Sequence, residues 1–592
     1  MKQFLITAAG VFAGLTIFLI GVPFVLVMLA VGAAGPAPVP AKSVLELDLR
    51  DQLTDQAPQS PLAGFGRNSV AVMTIVETLH RAETDGHIKG LLVRLPEGGI
   101  EPGMADEIRQ AVKRFRAAGK PVIAHSQGLY PAGVTTSTYM VGAASGELWM
   151  QPGASLQATG LTSEDIFLKR FFDKYGVTPQ YEQRREYKNA VNTFLYSDYT
   201  PAHREATLSW MTSVYDANLA AAAADRRMAP AALRQALEAG PYLAEDAVRL
   251  KLVDRTGQVR EAVQALLDRA GEDSELVDFH DYARGRRDRV RRGQPAIAVI
   301  EAEGPILTGR DEGASPFTSN AAIYSDDIAD AIQRATRADA VKAIVLRVNS
   351  PGGSDTASEQ ILDAIRAAKA KGKPVVVSMS TYAASGGYWI SSEASAIVAQ
   401  PTTLTGSIGV FGGKFAVGEA LARFGVDLRE TSVGGDYAGA FSLGRPFTTE
   451  QRAAFAGWMD RIYDNFIARV ARGRKLPVER VREIAKGRVW TGVQAKQLGL
   501  VDEVGGFYEA VAKAKSLAGL KGDVALRRMT PVESPIEALE RAMGVSATSA
   551  RTLAAAAWVL GDPRAEAVID RAAEARLRDG PGAAVLAPMP IR

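Results

Sequence analysis

The chain has 592 residues, and at roughly 100 to 200 residues per domain that length excludes a single small module. Lys+Arg 69 against Asp+Glu 66 gives a net charge of +3, too even for the concentrated basic face of a nucleic-acid binder, so no nucleic-acid partner is expected. A hydrophobic content of 47% with 23% charged residues belongs to globular protein, and zero cysteine excludes disulfides, thiolate metal sites and a cysteine nucleophile.

The first predicted element is a membrane anchor over residues 1–35. No charge falls between Lys2 and Lys42, and Phe4 to Leu29 is apolar on every face, which argues against a buried core helix. About 20 such residues span a bilayer, and the run is longer than the apolar part of a cleavable signal. The small residues of AVGAAGPAPVPA (30–41) are the competing signal, since they suit a signal peptidase. Lys2 precedes the run and the next basic residue is Lys42, so the positive-inside rule leaves the N-terminus in the cytoplasm and sends the rest outside.

From residue 36 onward the chain repeats itself. IKGLLVRL (Ile88–Leu95) recurs as VKAIVLRV (Val341–Val348), and GKPV at Gly119 recurs at Gly372, both 253 residues later. The shift becomes 249 between Gln151-Pro152 and Gln400-Pro401, and 248 between Trp210-Met211 and Trp458-Met459. A period near 250 is a duplicated domain, since solenoid units run to about 20 to 50 residues. The predicted division is a first α/β repeat over 36–270, a basic linker over 271–295, a second α/β repeat over 296–525, and an Ala-rich tail over 526–592. The linker carries Arg284, Arg286, Arg287, Arg289, Arg291 and Arg292 and reads as a solvated connection, with contact to anionic lipid headgroups as the sharper alternative.

In the second repeat the pattern predicts a strand over Ala296–Glu301, a helix over Ser325–Arg337, a buried strand over Ala343–Val348, a Gly-rich turn, a helix over Thr356–Lys371 and a strand from Pro374. Strands alternating with helices of this length imply a largely parallel sheet. The tail shows helical patches from Thr530, and its last dozen residues read as disordered.

Two segments of this repeat bear on chemistry. NSPGGS (Asn349–Ser354) is either a plain turn or a place where backbone N–H groups meet a bound group. AASGGYW (Ala383–Trp389) follows a strand and opens a helix, so Ser385 is either a helix cap or a nucleophile facing unpaired N–H groups. A serine nucleophile needs a base. The five histidines are His80, His87, His125, His203 and His280, so a Ser-His-Asp triad within the second repeat is impossible. The remaining common base is a lysine kept neutral by burial.

With LRVNSPGGS, AASGGYWI and TGSIGVFGG in place, the chain resembles the signal peptide peptidase A (protease IV) family in its long, duplicated form, from residue 40 to about 515. That resemblance implies tandem crotonase/ClpP-like domains and a Ser-Lys dyad, with Ser385 as nucleophile and Lys188, in EYKNAV, as base. It implies that Ser407 positions the lysine amine and that Gly353 and Gly386 are oxyanion donors, with Gly352 as a substitute for the first. No cofactor or metal is implied. The implied substrates are cleaved signal peptides and other unfolded chains, the implied assembly is a bowl-shaped homotetramer, and the implied location is the periplasmic side of a bacterial inner membrane. A crotonase-like acyl-CoA enzyme and a non-catalytic membrane scaffold are the rival classes.

The repeat gives an independent check. With shifts of 253 and 249, Ser385 faces Ala132 or Thr136 in the first copy, and with shifts of 249 and 250, Lys188 faces Tyr437 or Ala438 in the second. Each copy lacks the half of the dyad that the other keeps. The first copy also carries PEGGIEPG where the second has SPGGSDTA.

Overall fold

The computed structural model describes residues 39–56, 69–285, 294–311, 321–522, 524–529 and 584–586. Phe4 to Leu29 and the arginines of the linker beyond residue 285 lie outside them. Among the described residues no helix is long and apolar enough to cross a membrane.

Two largely parallel sheets carry the fold, and the second repeats the six strands of the first and adds Leu404–Gly406 and the antiparallel Val489–Thr491. The first has the order Arg255–Thr256, Glu147–Met150, Val122–Ser126, Ile88–Leu95, Ser43–Asp48, Glu275–Asp278. In the second, Glu503–Val504, Ala396–Ala399, Val375–Ala384, Val341–Ser350, Ala296–Glu303 and Ala525–Arg528 take the corresponding places. Their central strands are apolar almost without interruption because both faces are covered. The helices agree as well: Val72–Thr84 corresponds to Ser325–Arg337, and Pro201–Arg226 to Thr449–Arg474.

Two expectations need correction. Gly352–Ser354 is extended backbone rather than a turn, pairing with Ile306 on one side. On the other side it takes Ala584–Leu586 as an antiparallel strand, so this part of the tail is ordered against the second repeat.

The repeats share a core. One face of the second sheet packs on its own helices, including Ile328, Ile332, Ile361, Ile365, Phe466 and Ile467. Its other face, with Val299, Val345, Val376 and Val398, joins the helix Phe507–Leu517 and first-repeat residues such as Ile108 and Phe115 in one continuous cluster. In the first repeat the equivalent helix Val259–Ala270 fully buries only Ala262 and Leu266.

Polar contacts also cross between the repeats, and two of them bear on the site. Arg347, fully buried, forks onto Asp55 at 2.7 and 3.1 Å and reaches Glu107 at 2.9 Å. Both carboxylates come from the first repeat, and a buried guanidinium needs such partners to offset its desolvation. The other contact is a strand pair: Thr178–Arg184 of the first repeat runs antiparallel to Val410–Ala416 of the second, with Arg184 opposite Val410 and Thr178 opposite Ala416.

Candidate active site

That strand pair brings the two halves of the site together. Lys188 follows Arg184 by four residues and Ser407 precedes Val410 by three, so both sit at the same end of the antiparallel ladder. The loop bearing the lysine is fixed by Tyr187 N–H donating to Lys486 C=O at 3.1 Å. Arg488 adds an ion pair with Glu205 at 2.7 Å and lies over the rings of Tyr187 and Trp490.

Lys188 Nζ lies 2.8 Å from Ser385 Oγ, 3.0 Å from Ser407 Oγ and 3.0 Å from the Ser407 carbonyl oxygen. Lys188, Ser385 and Ser407 are all at most 1% exposed. A neutral amine has two N–H groups and one lone pair, so it can donate to both Ser407 oxygens while accepting from the Ser385 hydroxyl. Among the described residues no carboxylate pairs with an ammonium ion in this place, and burial pushes the Lys188 pKa down to about 7.

Ser385 ends the strand Val375–Ala384 and opens the helix Gly386–Ser391 at φ 56°, ψ −117°, a conformation costly for an L-residue. Its N–H donates to Gly406 C=O at 2.9 Å and its carbonyl accepts from Trp389 N–H at 2.8 Å, which holds the turn. In the first repeat the residue at the corresponding helix start is Val134, between the two positions expected from the sequence shifts, and it is not serine either.

The glycine pair lies against this turn. A β-carbon on Gly386 would stand 3.0 Å from the Gly353 nitrogen and 3.2 Å from the Gly352 α-carbon. The Gly386 backbone thus lies beside the Gly353 nitrogen. The Gly352 N–H is turned onto Ser350 Oγ at 3.2 Å.

Two contributors escaped the sequence reading. Ser350, which holds the Gly352 N–H and donates to Gly304 C=O at 2.7 Å, was legible only as part of its motif. Gly487, at φ 80°, lets the lysine backbone approach, and no local pattern marks it. Among the histidines, His125 bonds the Gly257 carbonyl at 3.0 Å and His203 lies 3.8 Å from Asp165. The hydroxyl of Ser385 is served by Lys188.

Known proteins resemble this chain along most of its length. The sequence pattern of peptidase family S49 matches twice, over residues 114–272 and 367–521. Protease 4 of Salmonella typhi is 35% identical over 513 residues, covering 81% of this chain and 79% of that protein. Protease 4 of Haemophilus influenzae is 33% identical over 484 residues, covering 77% and 75%. The chloroplastic serine protease SPPA of Arabidopsis thaliana is 29% identical over 485 residues, covering 81% and 69%.

Proposed function

This chain belongs to peptidase family S49 and is a serine peptidase, and from that premise we propose that it is a membrane-anchored endopeptidase that degrades cleaved signal peptides with Lys188 and Ser385 as its dyad. The observation that carries the dyad is the 2.8 Å approach of Lys188 Nζ to Ser385 Oγ in a site closed to solvent. Neutral Lys188 takes the Ser385 proton as Oγ attacks the scissile carbonyl carbon. The Gly353 and Gly386 N–H groups receive the oxyanion, and Ser407 keeps the amine aimed at the serine. The Lys188 ammonium then protonates the leaving amine as the C–N bond breaks. A water molecule, deprotonated by the same lysine, releases the acyl-enzyme and the proton returns to Ser385.

A peptide substrate is supported by the edge at Gly352–Ser354. It already takes Ala584–Leu586 as an antiparallel strand, so it accepts an extended main chain of the kind that strand addition recognises. Signal peptides as the substrate class, crotonase/ClpP-like repeats, the boundaries at residues 35, 270, 295 and 525, and a periplasmic site on a bacterial inner membrane complete the proposal. The apolar run Phe4 to Leu29 supports the anchor.

Assembly as a homotetramer is also part of it. With the 249-residue shift, the counterpart of Thr178–Arg184 is 427–433 and that of Val410–Ala416 is 161–167. Neither belongs to a described strand. Leu428 and Val433 are 41% and 95% exposed and Ile166 is 61% exposed, which supports a pairing of one copy's 427–433 with the next copy's 161–167.

The test is labelling by a serine-reactive peptidyl phosphonate followed by mass spectrometry. The adduct is expected on Ser385 in the intact protein and nowhere in Ser385→Ala. An adduct on another serine with undiminished peptide hydrolysis would overturn the assignment.

A further inference from the structure

The ladder between Val341–Ser350 and Val375–Ala384 runs in step from Ile344 opposite Val375 to Val348 opposite Met379, then resumes with Ser350 opposite Ala383. Ser380, Thr381 and Tyr382 thus stand opposite a single residue, Asn349. In the first repeat Ile88–Leu95 and Val122–Ser126 also stay in step to the equivalent pair, Leu95 opposite Ser126, and the next main-chain bond runs from Tyr130 N–H to Glu97 C=O at 2.7 Å, so three residues again stand opposite one. There the residue in the place of Asn349, 253 positions earlier, is Pro96, which has no side-chain amide.

A bulge leaves ladder groups without backbone partners. Asn349 supplies one from its side chain, its Oδ1 accepting from Tyr382 N–H at 3.1 Å. Its Nδ2 donates to Glu303 Oε1 at 3.1 Å, and the same carboxylate accepts from Asp55 N–H at 3.2 Å and Gln56 N–H at 3.0 Å. Asp55 and Gln56 belong to the first repeat, which also supplies Lys188. The side chain therefore bonds the nucleophile strand three residues before Ser385 and reaches the first repeat through one carboxylate. Its own backbone leads directly into Ser350 and the glycine pair.

We infer that Asn349 is a positioning residue for the peptidase reaction: it holds the bulge that sets Ser385 Oγ at its working distance from the Gly353 and Gly386 N–H groups. The side-chain bond occurs in the repeat that keeps the serine, and the proline at the same place in the other repeat can offer none. A residue acting this way contributes when the tetrahedral centre forms and little to binding an intact peptide. This inference rests on the dyad proposed above.

Asn349→Ala removes both bonds. Asn349→Asp conserves volume and the acceptor for Tyr382, but loses the donor to Glu303 and sets two carboxylates together, which guards against a result caused by a cavity alone. In full-length protein, both variants are expected to lose about 10- to 100-fold in kcat with KM within about threefold of the parent, and phosphonate labelling of Ser385 should slow by the same factor. Circular dichroism and thermal unfolding establish that the variants are folded. A folded variant with kcat within twofold of the parent, whatever its melting temperature, would overturn the inference, as would a loss confined to KM. Failure of the dyad itself shows separately, as retained hydrolysis by Ser385→Ala.

Discussion

Gly487 lies so close to Lys188 that a β-carbon added to it would stand 2.5 Å from the lysine's own β-carbon and 2.5 Å from its backbone nitrogen. Both obstacles are near the backbone, so neither can swing aside as the end of a flexible side chain would. The positive φ of 80° adds strain for any residue with a β-carbon. Gly487→Ala is expected to displace the lysine loop and lower kcat by more than tenfold, with a fall of a few degrees in melting temperature. Steady-state kinetics alongside thermal unfolding check this; unchanged kcat would mean that the loop relaxes without moving the amine.

Activity should rise with pH through neutrality. Only neutral Lys188 accepts the serine proton, and its pKa lies at about 7 because burial penalises the ammonium. Below that value each pH unit removes about nine-tenths of the neutral form, so kcat/KM should fall about tenfold per unit on the acid limb. The same shift acts on stability: between about 7 and the ordinary lysine value of 10.5 the unfolded chain binds more protons, so the fold gains stability as pH rises through that window. Lys188→Arg keeps a cation that cannot deprotonate and should be inactive at every pH. A pH–rate profile of parent and variant decides; a flat profile would remove the lysine from the base's role.

Ser385 stores strain, and its removal has two separable effects. Ser385→Ala and Ser385→Gly should both abolish hydrolysis, but glycine tolerates φ 56° where alanine does not. The glycine variant should therefore be about 1 kcal/mol more stable than the alanine variant, the reverse of the order expected at an ordinary helix position. Urea unfolding of the two variants measures the difference. Equal stability would mean that the turn carries no strain.

Self-association can be trapped directly because the chain has no cysteine. In the strand pair within one chain Glu182 stands opposite Gly412, and the 249-residue shift carries these to Thr431 and Ser163. Thr431→Cys mixed with Ser163→Cys should give a disulfide-linked dimer on mild oxidation, while neither variant alone gives that product at the same rate. Mass spectrometry of the linked peptide reads the outcome. Absence of the cross-link in an oligomeric sample would place the interface elsewhere.

The duplication, the parallel sheets and the serine turn were legible because each leaves a local trace. Ile88–Leu95 and Val341–Val348 are apolar runs that recur at a fixed shift, and Ala383–Trp389 combines a strand end, a serine and two glycines. Lys188 left none. EYKNAV is an ordinary polar stretch, and the burial that makes its lysine a base comes from pairing Thr178–Arg184 with residues more than 220 positions away, in a strand whose sequence TPQYEQR lacks an apolar alternation. Only resemblance pointed to it. Asn349 and Gly487 act through contacts set by the tertiary fold, and the strand Ala584–Leu586 forms on an edge that its own composition does not announce.

The pairing of Thr178–Arg184 with Val410–Ala416 also dictates when in its synthesis the enzyme becomes one. A ribosome that has reached residue 300 has released a lysine with no serine to activate and no partner for the strand that precedes it. Nascent chains emerge from the N-terminal end, and domains fold as units in that order. The nucleophile is therefore armed only after Val410–Ala416 and the loop at Gly487 have followed Ser385 out of the ribosome. A peptidase built this way is inert as a half-made chain and needs no inhibitory segment to protect its surroundings during that interval.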